Sequence, residues 1–377
     1  MIYLDYSATT PVSKEILDSY IKVTKEYIGN PNSLHSLGIK SNELLSSATK
    51  QISEVLDIEE KEIIYTSGST EANNLALIGY AIRNSKKGKN IVVSKLEHPS
   101  IYAICNYLEK LGFTITYVDN NQDGLIDFED LKSKVKDDTI LVCIVAVNSE
   151  VGIRQPLKTL RQIIKKQNEN TIFFSDMTQA IGKANVNMHD VDMASMSAHK
   201  IYGPKGIGLL YKSEKVNIES LIHGSNGELR GGTPSLPLIV AFSKALRLAI
   251  TNVSKNESVV KMLNEKVTNT FSKYSNITIN KSNYSIPHIL NISVKGIKPE
   301  TFIHALEKRD IYIGSNTACS HGRISTTLMA MYNDRERASS SLRICFSHLT
   351  SFDDINKFLY SFDIVINKLS TLGGNDE

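Results

Sequence analysis

The sequence has little of several features that mark specialised classes of protein. Its four cysteines form no CxxC pair, and no cluster of cysteine and histidine has the spacing of zinc ligands, so no metal site is expected. The net charge of +3 is too small to indicate binding to nucleic acid or to an anionic membrane. No apolar run could span a bilayer, and the first residues lack the basic start of a signal peptide. We therefore expect a cytoplasmic protein with reduced thiols.

The order of the predicted elements indicates an α/β protein. Hydrophobic residues make up 41% and charged residues 22% of the 377-residue chain, which suits about two globular domains. Between residues 62 and 211, strands alternate with helices, so we expect a mostly parallel sheet with helices on both faces. The apolar run 139–148 is its long central strand. After residue 255 the pattern changes to a smaller α+β unit. We expect a large domain over residues 16–254 and a small domain formed by residues 1–15 and 255–377.

Six polar residues stand where predicted strands end: Ser69, Thr70, His98, Asn148, Asp176 and Gln179. Open α/β sheets bind their ligands at this edge. In residues 62–80 a strand leads through a small polar turn into a helix, whose free N–H groups and positive dipole end favour an anion. A plain serine or threonine cap explains the turn equally well at this point. The turn is not a nucleotide-binding loop of the Walker type, because no GxxxxGK[ST] is present.

One lysine, Lys200, is followed by glycines and a proline that force a tight turn, and then by an apolar strand. A lysine held on a rigid turn beside the core is desolvated. Its pKa falls, and the amine can then react with an aldehyde to form a Schiff base. Most loop lysines are simply solvated, so this residue gains meaning only from its surroundings.

Those surroundings resemble the class V aminotransferase family of pyridoxal-phosphate enzymes, and within it the cysteine desulfurases of the NifS/IscS type. The segment Ser197-Ala-His-Lys-Ile-Tyr-Gly-Pro-Lys-Gly206 is similar to their Schiff-base lysine segment. Other similar segments, in chain order, are Tyr3-Leu-Asp-Tyr-Ser-Ala-Thr-Thr-Pro11, Gly29-Asn-Pro-Asn-Ser-Leu-His35, Thr66-Ser-Gly-Ser-Thr-Glu-Ala-Asn-Asn74, Val147-Asn-Ser-Glu-Val-Gly152, Arg230-Gly-Gly-Thr233, Ala318-Cys-Ser320 and Ser341-Leu-Arg-Ile344. The resemblance runs through nearly the whole chain. It implies fold type I of the pyridoxal-phosphate-dependent transferases.

The resemblance also implies how pyridoxal 5′-phosphate is held. Lys200 would carry the Schiff base and later move the substrate Cα proton. Asp176 would pair with the pyridine nitrogen, Gln179 would hydrogen-bond the ring hydroxyl, and His98 would stack on the ring. The remaining cofactor contacts would come from Ser69, Thr70, Asn148, Ser197 and His199, and from Thr233 of the neighbouring subunit of a homodimer.

For the substrate, the resemblance implies that Asn148 and Arg343 fix L-cysteine, the guanidinium gripping its carboxylate. Cys319 would be the nucleophile that takes the sulfur as a persulfide and leaves L-alanine. Its polar, glycine-rich surroundings suit an exposed, reactive thiol. By contrast, Cys105, Cys143 and Cys345 stand in predicted helices and strands and are expected to be inert and buried.

The implied function is a cysteine desulfurase that passes sulfur to an acceptor protein, either an iron–sulfur scaffold or a tRNA-thiolating enzyme. Direct contact with nucleic acid or a membrane is not expected. A selenocysteine lyase, or another class V aminotransferase-like enzyme, is the alternative activity. A catalytically idle protein on the same fold is a third possibility, which the presence of Lys200, Asp176, Cys319 and Arg343 opposes.

Overall fold

The structure is a computed structural model that describes residues 1–224, 228–315 and 324–373, with the backbone alone for 371–373. The elements up to the last strand of the main sheet are β1 (Ile2–Leu4), α1 (Lys14–Glu26), α2 (Ser36–Leu56), β2 (Ile63–Thr66), α3 (Ser69–Asn84), β3 (Asn90–Ser94), α4 (Pro99–Lys110), β4 (Thr114–Val118), α5 (Phe128–Lys134), β5 (Thr139–Cys143), α6 (Leu157–Gln167), β6 (Ile172–Asp176), β7 (Met193–Ser197) and β8 (Gly208–Lys212). The remaining elements are α7 (Leu236–Thr251), α8 (Val253–Phe271), β9 (Ile277–Ile279), β10 (Ile289–Val294), α9 (Pro299–Glu307), β11 (Ile311–Ile313), α10 (Thr326–Tyr332), α11 (Arg335–Ser339), β12 (Ser341–Cys345) and α12 (Phe352–Gly373).

The main sheet has seven strands in the order β2-β8-β7-β6-β5-β3-β4. Five consecutive strands of this sheet run parallel to one another: β4, β3, β5, β6 and β7. Strand β8 runs antiparallel to both of its neighbours, β7 and β2. Both faces are covered, because alternate residues of one strand belong to different cores: Val92 to one, and Ile91 and Val93 to the other. The predicted class, a mostly parallel sheet with helices on both faces, is confirmed.

The predicted central strand is shorter than the apolar run suggests. Strand β5 ends at Cys143, although residues 144–148 remain buried. Beyond β5 the chain still pairs with β6, because the N–H groups of Ile144 and Ala146 donate to backbone oxygens of that strand. On the side that faces away from β6, the N–H of Val145 donates to the carboxyl group of Glu97 at 2.6 Å. The Glu97 side chain therefore accepts the hydrogen bond that a backbone oxygen of a neighbouring strand would otherwise accept.

A second, smaller unit carries the chain ends. Its three-stranded antiparallel sheet has the order β12-β10-β9, and β1 pairs in parallel with β11. Packed aromatic rings of Phe271, Phe302, Phe358 and Phe362 form much of its core. The pairing of β1 carries the segment after it, residues 5–10, across to the end of the main sheet. Both units therefore meet where the predicted site residues cluster.

Within the described part of the chain, no single helix is long and apolar enough to cross a membrane. Helices α7 and α8 meet the length and hydropathy requirements only when taken together, and they are bent by 66° relative to one another.

Candidate active site

A cavity of about 200 Å³ lies at the carboxyl ends of the parallel strands. It brings together eight of the predicted site residues: Ser69, Thr70, His98, Asp176, Gln179, His199, Lys200 and Arg343. The N-terminal segment closes it through Ser7 and Ala8. Residues from five strand ends and from the small unit therefore line one space, as the strand-end argument predicts.

Lys200 is the most strongly constrained group in this cavity. Its Nζ donates to the backbone oxygens of Ser7 at 2.5 Å and Ala8 at 2.7 Å. Burial lowers the pKa of Lys200 to about 8, and the positive charge of Arg343 acts in the same direction. A larger fraction of this amine is therefore neutral near pH 7 than of a solvated lysine. The neutral amine is the nucleophilic form.

Helix α3 presents its N-terminus to the cavity, with Ser69 and Thr70 in its first turn. The turn before it lies close to β8, because a Cβ on Gly208 would come within 2.6 Å of the Gly68 Cα. Only a glycine at position 208 permits this approach. The result is a set of free backbone N–H groups and two hydroxyls at the positive end of a helix of 16 residues, which is a site for an anion.

Asp176 and His98 line the same cavity. Asp176 is buried; its Oδ2 accepts from Asn73 at 3.1 Å and its Oδ1 from the N–H of Thr178 at 2.9 Å. His98 caps helix α4, with Nδ1 accepting from the N–H of Ser100 at 3.2 Å. Since Nδ1 is an acceptor, the neutral ring carries its proton on Nε2. Burial lowers the pKa of His98, although the charge of Asp176 opposes this effect.

Gln179 is oriented from both ends. Its Nε2 donates to the Ser7 backbone oxygen at 3.0 Å, and its Oε1 accepts from Lys183 Nζ at 2.5 Å. The Ser7 carbonyl oxygen can only accept, so it fixes which end of the amide carries the nitrogen. One N–H of the Gln179 amide then remains for a hydrogen-bond acceptor in the cavity.

Arg343 enters from the small unit on β12 and is only 2% exposed. Its Nη2 lies 2.9 Å from Asp5 Oδ1, and its Nη1 donates to the Ser149 backbone oxygen at 3.1 Å. Its Nε has no partner among the described residues. Asp5 thus holds the guanidinium in place without using all of its donors, which leaves a buried cation with a free N–H.

Three predicted residues lie outside this cavity. The amide of Asn148 is used within the protein: Nδ2 donates to the Leu96 oxygen and to Thr327, and Oδ1 accepts from two N–H groups of its own turn. Ser197 is buried behind Gly68, and Thr233 lines a separate groove with Thr66 and Ser67. The ligand contacts predicted for these three residues stay predictions.

Of the four cysteines, Cys319 lies outside the described residues. Cys105, Cys143 and Cys345 are all buried, as expected. Burial raises the pKa of the Cys105 thiol to about 12 and also raises those of Cys143 and Cys345. None of these three forms a thiolate readily near pH 7.

Sequence reasoning missed four residues that shape the site: Asp5, Asn73, Glu97 and Lys183. Glu97 is fully buried beside β5, where Ser94 also donates to its carboxyl group at 2.5 Å. Burial raises the pKa of Glu97 to about 8, with the charge of Asp176 adding to the effect. Asp5 and Asn73 stand inside the family-like segments, so the sequence carried a signal for them. Glu97 and Lys183 act through burial, which the sequence does not display.

The donor set fits pyridoxal 5′-phosphate. The N-terminus of α3 suits its phosphate, the buried Asp176 carboxylate suits a protonated ring nitrogen, and Lys200 supplies an amine for its aldehyde. The free N–H of Gln179 suits an oxygen on the ring. Each group on the cofactor therefore has a complementary group in one cavity.

Comparison with known proteins also indicates a pyridoxal-phosphate enzyme. The family described as Aminotransferase class-V matches residues 2–358. The chain is 35% identical to a protein of Dictyoglomus turgidum named cysteine desulfurase IscS, covering 98% of this chain and 96% of the relative. A solved structure titled NIFS-like protein superposes with a TM-score of 0.92 at 32% identity, covering 98% of this chain and 99% of that one. Another, titled SspA in complex with cysteine, gives 0.81 at 28% identity, covering 93% and 100%. The chain therefore belongs to the class V aminotransferase family and, within it, to the NifS- and IscS-type cysteine desulfurases, which are pyridoxal-phosphate-dependent enzymes.

Proposed function

We propose that this protein removes sulfur from L-cysteine, yielding L-alanine and a persulfide on Cys319, and passes that sulfur to an acceptor protein. The observation that carries the proposal is the cavity in which a buried, low-pKa lysine lies with a carboxylate, an anion site and a buried arginine. The relatives' names and the cysteine complex of a similar structure support the substrate.

Each residue of the cavity has a chemical task under this proposal. Bound pyridoxal phosphate supplies an electron sink for the substrate carbon. Arg343 binds the substrate carboxylate through the N–H groups that Asp5 and Ser149 leave free, which orients the Cα–H bond. Lys200, once its amine is neutral, accepts the Cα proton and returns it. His98, Asp176 and Gln179 hold the ring, while Ser69, Thr70 and His199 hold the phosphate. Ser197, which is buried behind Gly68 outside the cavity, is proposed to support the phosphate site from there.

Sulfur transfer completes the reaction. The Cys319 thiolate forms a bond to the substrate sulfur, the Cβ–S bond breaks, and its electron pair goes to the carbon, which takes up a proton to give alanine. The described ends of the Cys319 segment support this role. Gly314 pairs with Arg343 through two backbone hydrogen bonds, and Ser325 donates to the buried Glu150 at 2.5 Å. The segment therefore begins beside the substrate arginine and returns next to the Asn148 turn.

We further propose a homodimer in which Thr233 reaches the phosphate of the neighbouring subunit. Within one chain, Thr233 lies in a separate groove from the cofactor cavity. The segment that carries it is tied to α3, since Arg230 Nε lies 2.9 Å from Glu71 in the first turn. A cluster of exposed apolar side chains on residues 28–39, namely Ile28, Leu34, Leu37 and Ile39, supplies the kind of surface that a second subunit covers.

The domain division proposed from the sequence, with residues 16–254 in one unit and residues 1–15 and 255–377 in the other, agrees with the pairing of β1 and β11. The sulfur acceptor is proposed to be an iron–sulfur scaffold or a tRNA-thiolating enzyme, and the site of action to be the cytoplasm.

The test is to incubate the purified enzyme with L-cysteine, measure alanine, and determine the mass of the Cys319 peptide. We expect alanine release together with one added sulfur atom on that peptide. Cys319→Ala should release no alanine, whereas Cys105→Ala, which alters a buried thiol, should retain turnover. Alanine release by the Cys319→Ala variant, or turnover restricted to selenocysteine, would exclude the proposed reaction.

A further inference from the structure

A second cavity, the back cavity, lies on the other side of Lys200 from the active site. Its volume is about 430 Å³. Exposed Lys255, His348 and Leu349 mark its mouth, and buried Lys183 and His288 mark its inner end. A volume of this size is typical of sites for small organic molecules. Nothing in the proposed desulfurase reaction uses this space.

The back cavity is rich in basic side chains and poor in acidic ones. Three lysines and two histidines line it: Lys183, Lys200, Lys255, His288 and His348. Glu15, which is exposed, is its only acidic residue among those described. Lys183 is 8% exposed, and in the described part of the chain its one hydrogen-bond partner is Gln179, a neutral amide. A buried ammonium without a counter-ion is costly, and a bound anion would relieve that cost.

His288 provides an independent observation at the inner end. It is 6% exposed, and its Nδ1 finds no hydrogen-bond partner among the described residues. Buried polar atoms are nearly always paired, so this ring beside the cavity has a nitrogen available to a ligand atom. Burial lowers the pKa of His288 to about 3, with the charges of Lys183 and His348 adding to the effect. The ring is therefore neutral, and it can donate one N–H to an anion next to Lys183.

Much of the remaining wall is apolar, although Thr10, Ser13, Asn252 and Asn256 also line it, and the apolar part decides which kind of anion fits. Its side chains include Ile16, Leu248, Ala249, Val259 and Phe346. An inorganic ion such as phosphate would leave this surface uncovered, whereas the body of an organic molecule would bury it. We propose that the back cavity binds a small organic carboxylate, with its carboxylate at Lys183 and His288 and its apolar body against this wall.

The ligand would also act on the active site through two contacts. Lys183 orients the Gln179 amide, and Lys200 lines both cavities. A carboxylate beside these lysines stabilises their charged forms. Its binding would therefore hold Gln179 more firmly and raise the fraction of protonated Lys200, so the back cavity would be a site at which a metabolite carboxylate slows the enzyme.

The probe is 4-fluorobenzoate, with the uncharged 4-fluorobenzamide as its matched control, observed by fluorine NMR on the holoenzyme at constant ionic strength. We expect saturable binding of the carboxylate. The amide should bind more weakly than the carboxylate by about tenfold or more. Lys183→Met should weaken binding about tenfold or more, because the carboxylate loses its buried partner. Lys255→Met, at the exposed mouth, should weaken it by about fivefold or less.

Two further variants separate this site from others. Lys261→Met removes an exposed lysine of the same helix, α8, outside the cavity and should leave binding unchanged. Arg343→Gln should also retain binding, because Arg343 lines only the active-site cavity. Loss of binding in Arg343→Gln alone, equal binding of the amide, or no saturable binding at all would overturn the proposal. If Lys183→Met fails to fold, unchanged binding of 4-fluorobenzoate by the His288→Phe variant would overturn the proposal equally.

Discussion

Two buried lysines govern the charge of the cofactor end of the site. Lys200 lies against two backbone oxygens of the N-terminal segment, which solvate its proton without neutralising its charge. Lys183 lies behind Gln179, and Lys200 is itself one cause of its low pKa. Because neither has a carboxylate within ion-pair distance in the described chain, burial dominates both. A larger fraction of each amine is therefore neutral near pH 7 than of a solvated lysine, which suits an amine that must react and one that must only orient an amide.

Lys183→Met should stabilise the protein at low pH. Burial lowers the pKa of Lys183 from 10.5 to about 7. The cost of burying its charge is therefore present in full below pH 7, decreases as the pH rises toward 10.5, and is absent above that value. We expect the variant to melt about 2–4 °C above the parent at pH 6 and to converge with it near pH 10.

Thermal denaturation followed by circular dichroism from pH 6 to pH 10 measures this difference. Lys261→Met, which removes an exposed lysine, is the control and should show no pH-dependent gap. A constant gap for Lys183→Met, or a gap that widens with pH, would mean that Lys183 is charged and compensated in the folded state.

At the scale of elements, the sequence revealed strands made of branched and aromatic residues and missed those that are not. The apolar runs at residues 90–94 and 289–294 predict strands, and their bounds are those of β3 and β10. Strand β7, with the sequence Met-Ala-Ser-Met-Ser, was missed because it contains no β-branched or aromatic residue, yet it is fully buried between β6 and β8. The apolar spacing predicts a helix only from Glu43 to Leu56, because Gly38 and its polar neighbours are typical of a turn, whereas helix α2 begins at Ser36.

The residues of the candidate site also differ in how far the sequence predicts them. Residues with distinctive chemistry at strand ends, such as Asp176 and His98, were found from the sequence because a parallel sheet collects its strand ends. Glu97 and Lys183 were missed since an acid or a lysine is normally solvated, and only tertiary packing reveals that these are buried. Asn148 was found, but its amide is used inside the protein.

The substitution Gly208→Ala, in strand β8, should displace the turn that forms the anion site at the N-terminus of α3. A Cβ there would lie 2.6 Å from both the Gly68 Cα and the Met196 backbone oxygen, which are backbone atoms that cannot rotate away. We expect a loss of about 1–3 kcal/mol in the free energy of unfolding, and weaker cofactor retention because the turn before α3 is displaced. Lys215→Ala, an exposed change just after β8, is the control.

Equilibrium dialysis of the cofactor and urea unfolding are the two measurements for this variant. Unchanged values in both would show that the sheet and the N-terminus of α3 separate easily, so that the close approach of the two glycines does not set the geometry of the anion site.

At the scale of the whole molecule, the proposed dimer depends on a surface whose residues do not line the cofactor cavity. Leu34 is 95% exposed, and its neighbours Ile28, Leu37 and Ile39 are exposed as well. Leu34→Asp places a charge where the second subunit would bury it. An unpaired charge in an apolar interface costs several kcal/mol, so we expect monomers in sedimentation velocity at micromolar protein.

The same variant should lose cofactor, because each anion site would then lack the Thr233 hydroxyl of the neighbouring chain. Thr233→Ala should also lose cofactor, because it removes that hydroxyl. It should remain dimeric, because the apolar surface is intact. Tyr360→Asp changes an apolar side chain that is 70% exposed on α12, and it should alter neither property. If Leu34→Asp remained dimeric, residues 28–39 would not be the interface. If Thr233→Ala kept its cofactor affinity in a stable dimer, the phosphate would be held by the groups of a single chain.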